Sequence, residues 1–228
     1  MKRRKFLAAA AIAATELKAQ QRRSKLLLPS DQPDVAGFRI MWANPVPPID
    51  QAAYRLKIGG IVDHPQSLSV DDLRKLPRVE QSSRMKCVQC WSARTTWGGF
   101  RFNEIIEMVA PGKSVKVVRI DCADKWYEFL TLEDIVAPRV MLAMDMAGRP
   151  LPDRHGAPLR VIDPSRYGYM SAKLITSITF LEDGKGNMAC DTGPYYAPGG
   201  IIQAGYDHPL DIGPDERVKI KGGEITEY

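Results

Sequence analysis

The sequence predicts a mixed, β-rich α+β domain, and three observations predict it. Segments of strand length with alternating or continuous apolar character recur between residues 54 and 181. The helical segments between them are short and closed by Pro or Gly, and no helix of βαβ length separates two strands, which excludes a doubly wound sheet. The chain has 228 residues, 44% hydrophobic and 26% charged, a composition of one ordinary globular domain rather than a disordered tail, a collagen-like chain or a disulfide-dense miniprotein. It contains no run of about 18 apolar residues, so an ordinary transmembrane helix is not expected.

The chain opens with Met1-Lys-Arg-Arg-Lys-Phe-Leu7 and an alanine-rich stretch from Ala8 to Ala14. A charged start before a short, weakly apolar run is the pattern of a signal peptide, and the Arg3-Arg4 pair resembles a twin-arginine signal. Residues 1–19 are therefore expected to send the chain to the periplasm through the twin-arginine export machinery, and residues 20–37 to form a linker. A basic amphipathic N-terminal helix is the plainer alternative. Residues 29–53 hold Pro29, Pro33, Pro45, Pro47 and Pro48, which favours an extended segment over a surface or along a cleft.

Residues 54–58 alternate apolar and polar side chains and read as a strand ending at Gly59-Gly60. Ser69 with Asp72 three residues later marks a helix start, and Pro77 stops that helix. A second helix is expected over 103–109, ended by Pro111-Gly112, and strands over 115–120, 126–130, 140–146, 159–162 and 175–181. Seven Gly and four Pro fall in the 34 residues 183–216. Residues 183–228 are therefore expected to be a Gly/Pro-rich extension packing on the domain formed by 38–182.

The positive charge is confined to the N-terminus. Residues 1–25 carry eight Lys and Arg against Glu16, a net +7, while the other 24 basic and 26 acidic residues leave the body at −2. A nucleic-acid binder carries its basic excess on the folded domain, so that class is excluded.

Four cysteines are present, Cys87, Cys90, Cys122 and Cys190. Cys87-Val-Gln-Cys90 lacks the second Cys or His pair that zinc needs. A c-type haem attachment needs His at position 91, which is Trp91. A thioredoxin-like motif opens a helix, whereas Trp91-Ser-Ala-Arg-Thr-Thr-Trp-Gly-Gly99 is a poor helix. In an exported chain a plain disulfide among the four is the simple alternative.

The residues around Cys87 are more specific. Ser83-Arg-Met-Lys-Cys-Val-Gln-Cys-Trp-Ser92 followed by Trp97-Gly-Gly-Phe100 resembles the metal-binding segment of the sulfite oxidase-like molybdopterin-dependent oxidoreductases. Within that family it is closest in motif to the catalytic subunits of periplasmic protein-methionine-sulfoxide reductases. Leu142-Ala-Met-Asp-Met-Ala-Gly-Arg-Pro-Leu151, then His155-Gly-Ala-Pro-Leu-Arg160, Asp163-Pro164, Tyr167-Gly168 and Lys173, resembles the family's pterin-binding stretch in order and spacing.

The resemblance implies a molybdenum-molybdopterin cofactor, with Cys87 as the one protein ligand to the metal and the catalytic residue. A thiolate is the soft anionic donor that such a centre takes, and Arg84 and Lys86 nearby favour its deprotonation. It places His155, Arg160 and Ser171-Ala172-Lys173 on the pterin or its phosphate, for which Arg160 offers a planar fork and Lys173 a point charge. Cys122 aligns with a pterin-contacting position, and Arg39, Trp42 and Ala43 with the N-terminal contacts. Cys90 falls outside the ligand set. Taken by themselves, Arg160 reads equally as one half of an ion pair, His155 as a turn histidine and Cys122 as a structural cysteine.

The activity implied is oxygen-atom transfer, most directly reduction of an S-oxide or similar small oxide. Oxidation of sulfite or a related anion is the alternative. Met144 stands where the sulfite-oxidising members carry Tyr, and of the cations such a dianion needs only Arg94 and Arg166 are in place. A Cys-x-x-Cys thiol-redox or binding module is the alternative of another class. The chain carries no haem motif, so electrons are expected from a separate membrane b-type or soluble cytochrome, and a monomer is expected.

Overall fold

Among the described residues the apolar patterning resolves into two five-stranded sheets, the second of which carries a strand buried on both faces. The computed structural model describes residues 27, 30, 32–34, 36–88, 91–192, 199–202, 206–207 and 218–219. The expected signal peptide, Cys90, most of the linker and much of the C-terminal extension lie outside these residues.

The first sheet comprises β1 (Leu56–Gly60), β2 (Gln66–Leu68), β5 (Val117–Cys122), β6 (Tyr127–Thr131) and β10 (Ile175–Leu181), in the order β2-β1-β10-β5-β6. Its pairs are antiparallel except β1 with β10, which run parallel from Lys57↔Ser177 to Gly60↔Phe180. The second sheet comprises β3 (Val79–Lys86), β4 (Ser92–Phe100), β7 (Met141–Met146) and β8 (Arg149–Pro150) in that order, with β9 (Arg160–Ile162) also paired to β7. A short ribbon of β11 (Tyr206–Asp207) and β12 (Val218–Lys219) completes the strands among the described residues.

Among the described residues four short α-helices connect them: α1 (Val70–Arg74), α2 (Asn103–Val109), α3 (Leu132–Ile135) and α4 (Met188–Thr192). The start of α1 is a capping box, in which the Ser69 hydroxyl accepts from the Asp72 N–H and the Asp72 carboxylate accepts from the Ser69 N–H. Helix α2 ends where Ala110 turns left-handed at φ 48° ahead of Pro111.

All six residues of β7 are buried, which explains its nearly unbroken apolar run. Leu142 and Met144 join the larger core with Leu56, Ile58, Ile120, Ile178 and Phe180. Met141, Ala143 and Met146 face a smaller core with Phe38, Met85, Trp97 and Leu151. Phe38 arrives from the N-terminal arm, so that arm is an integral wall of the second core.

The β3–β4 hairpin differs from the sequence expectation, which assigned no strand to either segment. The two strands pair from Val79↔Gly99 to Lys86↔Ser92. Gly98 and Gly99, which weaken a helix, mark a bulge against β7 instead. A Cβ at Gly99 would overlap the Leu142 carbonyl, so this close approach of β4 to β7 requires glycine.

Candidate active site

The hairpin tip, the N-terminal arm and the loop before β10 enclose a cavity of about 350 Å³. Cys87 lines it, one residue beyond the end of β3. Its N–H donates to the Trp91 carbonyl at 2.8 Å, closing the turn. Lys86 makes an isolated parallel bridge with Tyr167, which sets Cys87 beside the 3-10 turn Gly168–Met170. The Cys87 side chain packs against Val88, Tyr167 and Ile202.

Arg160, Ser171, Ala172 and Lys173 also line the cavity. Arg160 is buried at 4% exposure. Its guanidinium donates from Nη1 to the His155 carbonyl at 2.9 Å, lies 3.6 Å from the Met85 sulfur and stacks 5.1 Å from the Trp97 ring. It forms no ion pair among the described residues. Burial lowers its pKa to about 10, opposed by the Glu128 carboxyl, so it stays charged at neutral pH. Ser171 is held by its N–H to the Gly168 carbonyl, and Ala172 by its carbonyl to the Val161 N–H at 2.8 Å. Lys173 donates to the Met41 carbonyl and lies 3.7 Å over the Trp42 ring. Burial and the Arg160 charge bring its ammonium down to about 7, against the pull of Asp124 and Cys122.

The arm contributes Arg39, Trp42 and Ala43 to the same lining. Besides Lys173, Asp124 and His155 hold it down. The Ala43 N–H donates to the Asp124 carboxylate at 3.1 Å and the Asn44 amide to the Asp124 carbonyl at 2.8 Å. His155, which closes the turn 153–155, places Nε2 2.8 Å from the Asp34 carboxylate. Burial, then the Arg160 charge, lowers the His155 ring to about 4.

Nine of the ten residues singled out in the sequence thus line one cavity. Cys122 does not. It lies in the larger core at 6% exposure, where burial and the neighbouring carboxyls of Glu128 and Asp124 push its thiol up. Arg94 is exposed on β4, and Arg166 is committed to Asp134 at 2.7 Å and Asp163 at 3.1 Å; neither lines the cavity.

Sequence reading missed Asp34, Asp124, Trp126 and Glu128. Asp124 and Trp126 belong to the tight turn between β5 and β6, where the Asp124 carboxylate accepts from the Trp126 N–H. Such an Asp two residues before an aromatic is the one signal the sequence carried for them.

The donor set is suited to an anionic, acceptor-rich group. Arg160 Nε, Ser171 Oγ, Trp42 Nε1 and Trp91 Nε1 are buried donors with no partner among the described residues. Unmatched buried donors are costly in a folded protein. Four of them on one cavity, beside a buried guanidinium and an ammonium, match a phosphate-bearing heterocycle. The Cys87 thiol is a soft donor of the kind that a metal held by such a group would take.

Comparison with known proteins identifies the family. The family model described as the oxidoreductase molybdopterin binding domain matches residues 43–188. The protein-methionine-sulfoxide reductase catalytic subunit of Ralstonia nicotianae is 34% identical over 145 residues, which are 57% of this chain and 44% of that one. The uncharacterized oxidoreductase YuiH of Bacillus subtilis is 32% identical over 158 residues, 68% of this chain and 80% of that one. The chain spans about half the length, or less, of the reductase subunits it matches. Among solved structures, the sulfane dehydrogenase SoxCD of Paracoccus pantotrophus superimposes with a TM-score of 0.60 at 18% identity. That match covers 73% of this chain and 49% of that one, and it establishes the fold.

Proposed function

Because this chain belongs to the oxidoreductase molybdopterin binding domain family, we propose that it is an exported molybdenum-cofactor enzyme that reduces an S-oxide or similar small oxide. The observation that carries the reading is that Cys87 shares one cavity with Arg160, Ser171 and Lys173. A single soft anionic donor facing a cluster of phosphate donors is the set that a pterin-held metal needs.

When bound, the cofactor supplies oxygen-atom transfer with a two-electron change at the metal. The protein's own residues hold and shield it. Cys87 serves as the protein ligand in its thiolate form, since metal coordination deprotonates a thiol. Arg160 would hold the phosphate, through its unpartnered Nε among others, with its guanidinium already fixed by His155 and Trp97 so that little order is lost on binding. Lys173 would face the phosphate as an ammonium, since an adjacent anion would favour its charged form. His155, neutral at pH 7, donates from Nε2 to Asp34 and keeps Nδ1 as an acceptor.

Trp42, Trp91 and Trp126 wall the cavity with apolar surface, which suits an uncharged S-oxide better than a dianion. The two arginines that sulfite would need are elsewhere, one exposed and one already ion-paired. Reduction of an S-oxide consumes two electrons and two protons and releases water. The electrons come from a separate redox protein, for which a membrane b-type or soluble cytochrome fits the absence of a haem motif in the sequence.

The test is elemental analysis of the protein purified after export from molybdate-replete cells. About one molybdenum per chain supports the reading. Protein without molybdenum overturns it.

A further inference from the structure

Strand β6 places only Glu128 and Leu130 at buried positions, and one of these two is a carboxyl. Glu128 has no exposed surface. A carboxyl in such a place is costly unless it holds something. Its two oxygens each accept from a group on a cavity-lining residue: Oε1 from the Ala172 N–H at 3.3 Å and Oε2 from the Trp126 indole N–H at 3.4 Å. Its main chain makes an isolated bridge with Asn187, directly ahead of the lining residues Met188 and Ala189. Three separate walls of the cavity therefore converge on this residue.

We propose that Glu128 is a positioning residue for the cofactor cradle, acting from behind the wall by fixing the 171–173 segment and the Trp126 ring. The proposal rests on the molybdopterin reading above. The Ala172 peptide is the pivot. Its carbonyl is taken by the Val161 N–H and its N–H by Glu128, so the residue is pinned on both sides. Pinning it aims the flanking Ser171 hydroxyl and Lys173 ammonium into the cavity. Without the carboxyl, the Ala172 N–H is left buried without an acceptor, and the segment must rotate to satisfy it.

The charge state is compatible with an anion site. Burial pushes the Glu128 carboxyl up to about 8, against the Ala172 and Trp126 donors, so at neutral pH it is mostly uncharged and does not repel a phosphate.

Two variants separate reach from charge. Glu128→Gln keeps an oxygen at the same distance for the Ala172 N–H, and Glu128→Asp keeps the carboxyl but withdraws it by one methylene. Molybdenum per chain in Glu128→Gln is expected to remain within about two-fold of the parent, while Glu128→Asp loses about ten-fold or more, the usual cost of disturbing support behind ligand-holding groups. Amide hydrogen exchange of the 171–173 segment, read on metal-free protein, is expected to accelerate at least about ten-fold in Glu128→Asp and to stay unchanged in Glu128→Gln. Full loading of Glu128→Asp, or equal loss in both variants, overturns the positioning role. Absence of molybdenum in the unaltered protein overturns the functional reading instead, and the exchange comparison still decides the role of Glu128.

Discussion

Asp34 and His155 meet at 2.8 Å across 121 residues of sequence, and this contact seats the N-terminal arm against the cavity. The Asp34 carboxylate is itself fixed by the N–H groups of Ala36 and Phe38, each at 2.9 Å. Burial raises its pKa, but those two donors and the His155 ring outweigh burial and hold it below the ordinary value. With the ring neutral and Nε2 facing a carboxylate, the proton is assigned to Nε2.

Burial of the His155 ring, opposed by its Asp34 partner, has a pH signature. The His155 pKa of about 4 lies below the unfolded value near 6.5. Stability from the neutral buried ring is therefore complete above pH 6.5 and is lost as pH falls through 4. The full loss is on the order of 3 kcal/mol. Urea unfolding at pH 7, 6, 5 and 4 should show this slope in the parent protein. A His155→Gln variant should lack it, and an identical slope in both would assign the acid sensitivity to other groups.

The two cysteines of the Cys-x-x-Cys pair separate the enzyme from a dithiol module. Cys87→Ser should reduce S-oxide turnover by about three orders of magnitude or more, because a hydroxyl is a poor substitute for a thiolate at a soft metal. Cys90→Ser should retain turnover within a few-fold. Steady-state assays with a reduced dye as electron donor make the comparison, and equal losses from both changes would favour thiol-disulfide chemistry.

Lys173 joins two jobs in one side chain, since it ties the arm through Met41 and Trp42 and offers charge to the cavity. Lys173→Met keeps the stem and removes the charge. Molybdenum per chain should fall by about ten-fold, while the melting temperature drops by no more than a few degrees. Metal analysis and calorimetry on one preparation check both. A melting temperature that collapses along with the metal would make Lys173 a folding residue first.

The elements legible in the sequence were those whose signal is local. The Ser69–Asp72 capping box, the Pro111 stop and the apolar run of β7 each sit within a few residues, and the structure has α1, α2 and β7 there. The β3–β4 hairpin was not legible, because β4 lies between β3 and β7 and takes its bulge from a glycine pair that reads locally as a helix breaker. For the candidate site, Cys87, Arg160 and Lys173 carried motif spacing that could be read along the chain. Glu128 and Asp34 carried none. A carboxyl in a strand and another in a Pro-rich arm gain meaning only from the Ala172 N–H and the His155 ring, which lie 44 and 121 residues away.

The hairpin makes a last prediction, because Cys87 stands at its tip and Gly99 at its base. Alanine at 99 would drive a Cβ into the Leu142 carbonyl, and backbone cannot move aside as a side chain can. Gly99→Ala should cost about 3 kcal/mol, at the upper end of overpacking penalties. Gly59, a strand residue where an added methyl would meet nothing within 4 Å, is the control: Gly59→Ala should change stability by less than about 1 kcal/mol in either direction. Denaturant titration of the two variants decides the matter. Equal stability would mean that β4 and β7 do not approach as closely as the bulge at Gly98–Gly99 requires, and the placement of Cys87 relative to Arg160 would then have to be redrawn.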